Sequence, residues 1–91
     1  MKNQVTFQKI ENCRAIKEFT YSFNCFNDAV DAMKIYIHHT LINSGKKAIF
    51  NQPNHCWDIP DCCGDGIRIL LDTDLKGIYK ADKLIQEYLN R

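Results

Sequence analysis

The sequence predicts a single small α+β domain with elements in the order β-β-α-β-β-α. Three observations carry this. Phe19, Tyr21 and Phe23 alternate with Glu18, Thr20 and Ser22, the two-residue period of a half-buried strand. Phe26, Val30, Met33, Ile37 and Leu41 recur at spacings of three and four, one apolar stripe on a helix. Ile67-Arg68-Ile69-Leu70-Leu71 is almost continuously apolar and β-rich, as a central strand is. Four strands and two helices pack most simply as one antiparallel or mixed sheet with both helices on one face. The other face is then polar, covered by a loop, or covered by a partner.

The first strand is Val5-Thr6-Phe7-Gln8-Lys9-Ile10, with Val5 and Phe7 on one side. Glu11-Asn12-Cys13-Arg14 is polar enough to turn, so the first two strands form an antiparallel hairpin. Asn24 is placed to cap the first helix, and Asp28 puts a negative charge near the positive end of its dipole. Gly45 suits the left-handed position just past the helix end. Lys47-Ala48-Ile49-Phe50 reads as a short strand, and Trp57-Asp58-Ile59 as a short additional edge strand. Asp72-Thr73-Asp74 turns or caps before a last helix striped by Ala81, Leu84, Ile85, Tyr88 and Leu89. Gly77 leaves the start of that helix undefined, because glycine weakens a helix interior.

Ninety-one residues, 45% hydrophobic and 25% charged, support one core and not two. No apolar run is long enough to cross a membrane, and the first residues lack the apolar stretch of a signal peptide. Five cysteines, two of them adjacent, fit free thiols better than a disulfide framework. A cytoplasmic location is expected. A net charge of +1 argues against a strongly basic nucleic-acid binder and against an acidic DNA mimic. The charge is uneven: residues 1–47 hold seven basic and four acidic side chains, net +3, whereas residues 58–74 hold Arg68 against five aspartates, net −4. Such a split can orient a partner.

The segment from Asn51 to Gly66 is the least ordinary. It holds the only tryptophan, both prolines and three of the cysteines. Its candidate zinc ligands, all weak, are His55, Cys56, Cys62 and Cys63; structural zinc sites favour two ligands from one tight turn, and adjacent cysteines point apart. Asp58, Asp61 and Asp65 do not follow the calcium-loop spacing and are expected to be solvated or to cap local backbone. No histidine is placed by the sequence beside a cysteine that it would activate. Pro60-Asp61 followed by Asp74-Leu75-Lys76 resembles the PD…(D/E)xK signature of metal-dependent nucleases, but those enzymes have a larger core than this chain provides. No catalytic residue and no cofactor is therefore expected.

Binding is the expected mode of action. Trp57 is either an exposed anchor or a lid folded back over a small core. The candidate contact residues are Trp57, Asp58, Asp61 and Asp65, with Lys46 and Lys47 at their approach. In size and composition the chain resembles the small inhibitors encoded by phages and mobile elements, anti-CRISPR and other anti-defence proteins among them, though no motif ties it to a particular family. The resemblance implies a host effector complex as partner, blocked at a protein or nucleic-acid site. Two alternatives come from other classes. One is a small nucleic-acid-binding regulator using Lys9, Arg14, Lys17, Phe19 and Tyr21, although alternation turns both rings toward the helix. The other is a zinc-stabilised interaction module.

Overall fold

The computed structural model describes residues 3–45, 47–61 and 64–90. The elements are β1 (Gln4–Glu11), β2 (Arg14–Ser22), α1 (Phe26–Ser44), β3 (Ile49–Asn51), β4 (Cys56–Pro60), β5 (Gly66–Asp72) and α2 (Leu75–Leu89). The sheet has five strands, all antiparallel, in the order β2-β1-β5-β4-β3. The α+β class, the opening hairpin and the central place of β5 agree with the sequence. The strand count does not: Trp57 lies on a full strand, and that strand is internal, paired with β3 on one side and β5 on the other.

Register sorts the side chains onto two faces. Phe7 is opposite both Phe19 and Ile69, and Ile69 is opposite Trp57. This row and the parallel row through Val5 and Leu71 meet Val30, Met33 and Ile37 of α1 and Ile78, Ala81 and Ile85 of α2 in one buried core. Both helices thus cover one face. The other face is a polar ladder, with cross-strand hydrogen bonds between Gln4 and Ser22, Thr6 and Thr20, and Gln8 and Glu18.

The turns explain why the chain follows this path. Asn12 and Cys13 both have positive φ, 51° and 65°, the backbone of a tight two-residue hairpin turn. Helix α1 starts from Cys25, not Asn24, and no side chain caps it. It ends as expected, with Gly45 at φ 69° donating its N–H to the Leu41 carbonyl. Helix α2 starts at Leu75, and the Asp74 carboxylate accepts the Gly77 N–H at 2.7 Å. Gly77 does not break this helix. A Cβ there would lie 2.5 Å from Thr73 Oγ1 and 3.0 Å from Asp74 Oδ1, so glycine lets the cap close over the first turn.

Candidate binding surface

Strand geometry decides where the sequence's candidate residues go. Trp57 projects into the helix-covered face and is fully buried. Its ring stacks at a tilt on Phe50, with centroids 5.3 Å apart, and its indole N–H donates to Asp82 Oδ1 at 3.0 Å. It is a core residue of a sheet, neither an exposed anchor nor a lid. Asp58 lies on the polar face, one residue on, and its carboxylate is occupied: Oδ1 accepts from Arg68 Nε at 2.9 Å and Oδ2 from Asn51 Nδ2 at 3.0 Å. Asp65 Oδ1 accepts the backbone N–H of Asn12 at 3.0 Å, and the Gly64 carbonyl accepts that of Cys13 at 2.9 Å. Asp65 therefore caps a distant turn and ties the β1–β2 hairpin to the loop before β5. Asp61 and Lys47 are exposed. Lys46, Cys62 and Cys63 lie outside the described residues.

The chemistry weighed from the sequence does not assemble among the described residues. Among the described residues, no three histidine, cysteine or acidic side chains converge as metal ligands. Cys56 is buried on the polar side of β4, with its sulfur 3.9 Å from Asp58 Oδ1. Burial pushes its thiol up, and the neighbouring Asp58 charge pushes the same way. A nucleophilic cysteine needs the opposite shift. Asp61 precedes β5 and Asp74 follows it, so the seven residues of that strand keep them roughly 20 Å apart. They cannot share one ion.

An open surface appears where the sequence expected a covered one. Phe19 and Tyr21 point to the helix side of the sheet as alternation requires, yet they remain 55% and 54% exposed. The reason is width. Five strands at about 4.8 Å spacing make a sheet roughly 24 Å across, whereas two helices at about 10 Å each cover roughly 20 Å. Helix α2 holds the β3 side, where Phe50 packs on Trp57 and on Tyr79 at 5.9 Å. Helix α1 rests on β1, with Tyr36 and Phe7 ring centroids 4.5 Å apart. Strand β2, the far edge, is left uncovered.

Between β2 and α1 runs an apolar groove of about 720 Å³. Phe19, Tyr21 and Phe23 form one wall, Ile35 and Tyr36 the other, and Phe7 the floor. Tyr21 meets Phe7 edge-on at 5.9 Å, and Ile35 is 64% exposed. Burial pushes the Tyr36 hydroxyl above its ordinary value. Beyond the groove, the hollow around Lys9 is also lined by Glu11, Asp61 and Asp65. Lys9 and Lys17 stand directly opposite each other on the groove side of the hairpin. Lys9 has a weak exposed contact with Glu11 at 3.6 Å, and among the described residues no ion pair reaches Lys17.

Comparison with known proteins finds no matching family model, no matching curated protein and no matching solved structure. The functional reading therefore rests on this geometry. The residues that sequence reasoning missed are Phe19, Tyr21 and Ile35 as an exposed set. The alternation of β2 was visible; its exposure depends on how far α1 reaches.

Proposed function

We propose that the protein is a small non-enzymatic binding protein that holds a protein partner against the face formed by β2 and α1. One observation carries the reading: three large apolar side chains, Phe19, Tyr21 and Ile35, stand more than half exposed around a single groove. Isolated exposed apolar residues are ordinary, whereas a contiguous set bordering a groove is what an interaction site presents. Trp57 leaves the set of contact residues and these three replace it. Action without catalysis is part of this proposal: Cys56 is buried with its thiol pKa raised, and Asp61 and Asp74 flank opposite ends of β5.

The narrower reading is an inhibitor of a host defence complex, of the anti-CRISPR-like kind, encoded by a phage or mobile element and acting in the cytoplasm. It draws on size and composition alone. No helix among the described residues is long and apolar enough to cross a membrane.

Capture from host lysate by the immobilised protein tests the reading, with cross-linking to locate the contact. Native protein is expected to retain a partner that Phe19→Asp and Ile35→Asp both lose while keeping the native circular dichroism spectrum. Equal retention by all three removes this face as the site. A second reading, single-stranded nucleic acid, is favoured by the exposure of Phe19 and Tyr21 beside Lys9 and Lys17, since bases stack on such rings. A gel shift at low salt that weakens in Tyr21→Ala supports it, and no shift at low salt ends it.

A further inference from the structure

We propose that this face takes its partner by strand addition: an extended segment of the partner pairs antiparallel with β2, setting apolar residues beside Phe19 and Tyr21, a basic residue opposite Glu18 and a carboxylate opposite Lys17. The inference rests on the protein-binding reading above and specifies its mode.

Backbone geometry comes first. Strand β2 is nine residues long and forms the edge of the sheet, whereas the other edge, β3, has three. The Phe23 N–H donates to the Asn3 carbonyl at 2.8 Å, so Asn3 and Phe23 are a hydrogen-bonded pair. Antiparallel alternation then turns the backbone groups of Tyr21 and Phe19 inward to β1 and those of Ser22, Thr20 and Glu18 outward. Among the described residues no strand pairs with these outward groups, and they form the template an added strand uses. The bulge in the β1–β2 pairing lies at Lys9 and Ile10, so the stretch from Glu18 to Ser22 is regular. An added strand faces Phe19 and Tyr21 in the close, non-hydrogen-bonded positions, where cross-strand side chains touch most.

Charge selects the occupant. Lys9 and Lys17 are like charges directly opposite each other; Glu11 reaches Lys9 at 3.6 Å, and among the described residues no anion pairs with Lys17. A second copy of this chain cannot supply that anion. Two-fold pairing of β2 with itself places Lys17 on Lys17 or Glu18 on Glu18 when centred on either residue. Centred on Phe19 or Thr20, it sets Lys17 against Tyr21 or Phe23 of the second copy. Only the register centred on Ile16 opposes Arg14 and Glu18, and it leaves Phe19 and Tyr21 unused. Self-pairing in any register centred from Lys17 to Tyr21 thus gives Lys17 no carboxylate, whereas a segment of opposite pattern supplies one. Read from its N-terminus, that segment is apolar against Tyr21, polar against Thr20, apolar against Phe19, basic against Glu18 and acidic against Lys17.

The test is an NMR titration of the full chain with the capped peptide Ser-Thr-Ile-Thr-Val-Lys-Glu-Ser and with a second peptide in which lysine replaces the glutamate. The first is expected to shift the amides of Glu18, Thr20 and Ser22. It should bind about fivefold more tightly than the second, and Lys17→Glu should reverse that preference. Phe19→Ala should weaken it about tenfold. The proposal is overturned if the peptides bind equally, if shifts fall on the β3 edge or nowhere, or if only an oligothymidine moves the β2 amides. Concentration-dependent dimerisation in sedimentation through β2, abolished by Phe19→Asp, overturns it in favour of a second copy. A partner captured natively and lost in Phe19→Asp, with no peptide binding, rejects strand addition and leaves the binding face standing.

Discussion

The indole N–H of Trp57 on β4 donates to the carboxylate of Asp82 on α2 at 3.0 Å, and this bond ties the last helix to the sheet from within the core. Asp82 also accepts from Gln86 Nε2 at 3.4 Å, one turn further along the same helix. Trp57→Phe removes the donor and leaves space where the larger ring was. It should cost about 2–3 kcal/mol in urea unfolding. Asp82→Asn keeps an acceptor at the same position and should cost less than about 1 kcal/mol. Native Trp57 fluorescence should resist acrylamide quenching, and free quenching would contradict its place in the core.

Gly77 gives a prediction of unusual sign. Glycine to alanine in a helix ordinarily stabilises by about 1 kcal/mol. Here the new Cβ meets Thr73 Oγ1 at 2.5 Å and Thr73 Cγ2 at 2.8 Å. Gly77→Ala should therefore destabilise, and adding Thr73→Ala, which removes both atoms, should recover part of the helix gain, with Asp74 Oδ1 still 3.0 Å from the new Cβ. Asp74→Ala alone should cost about 1 kcal/mol through loss of the cap. Thermal melts of the native protein, Gly77→Ala, Thr73→Ala and the double variant read the cycle.

Cys56 sets a pH dependence. Its folded thiol pKa is raised, first by burial and then by Asp58, with Arg68 partly opposing. The unfolded chain ionises that thiol above the ordinary value of about 8.5, while the folded chain ionises it only at higher pH. Stability is unaffected by this group below about pH 8.5 and falls as pH rises toward the folded pKa. Urea midpoints at pH 7 and pH 9.5 should differ less in Cys56→Ala than in the native protein. Alkylation mapped by mass spectrometry should modify exposed Cys13 and Cys25 quickly and Cys56 only on unfolding.

Asp65 should behave as a structural residue. Asp65→Ala removes the acceptor of the Asn12 N–H and should cost about 1 kcal/mol, with faster hydrogen exchange at Asn12 and Cys13. Gly64→Ala should cost more, since φ is 80° there and a Cβ would lie 2.7 Å from Cys13 Sγ.

Local patterns were legible where they depend on near neighbours. The stripe of α1, its end at Gly45, the alternation of β1 and β2 and the apolar run of β5 all follow from spacing and turn chemistry. The segment from Asn51 to Gly66 was harder. Its turn residues masked the length and place of a strand: Trp57-Asp58-Ile59 reads as a short edge strand, whereas the strand runs Cys56–Pro60 and lies inside the sheet. Asp58 and Asp65 looked free because their partners, Arg68 and Asn12, are separated from them by 10 and 53 residues.

Taken alone, the sequence determined the class of fold, the hairpin, both helices and which side of each strand is apolar, since these are short-range consequences of side-chain period and backbone preference. Tertiary structure decided which apolar side chains stay covered. Trp57 became core because β3 and β5 flank its strand and α2 lies over it. Phe19 and Tyr21 became surface because two helices are narrower than five strands, and no local pattern along the chain records that width.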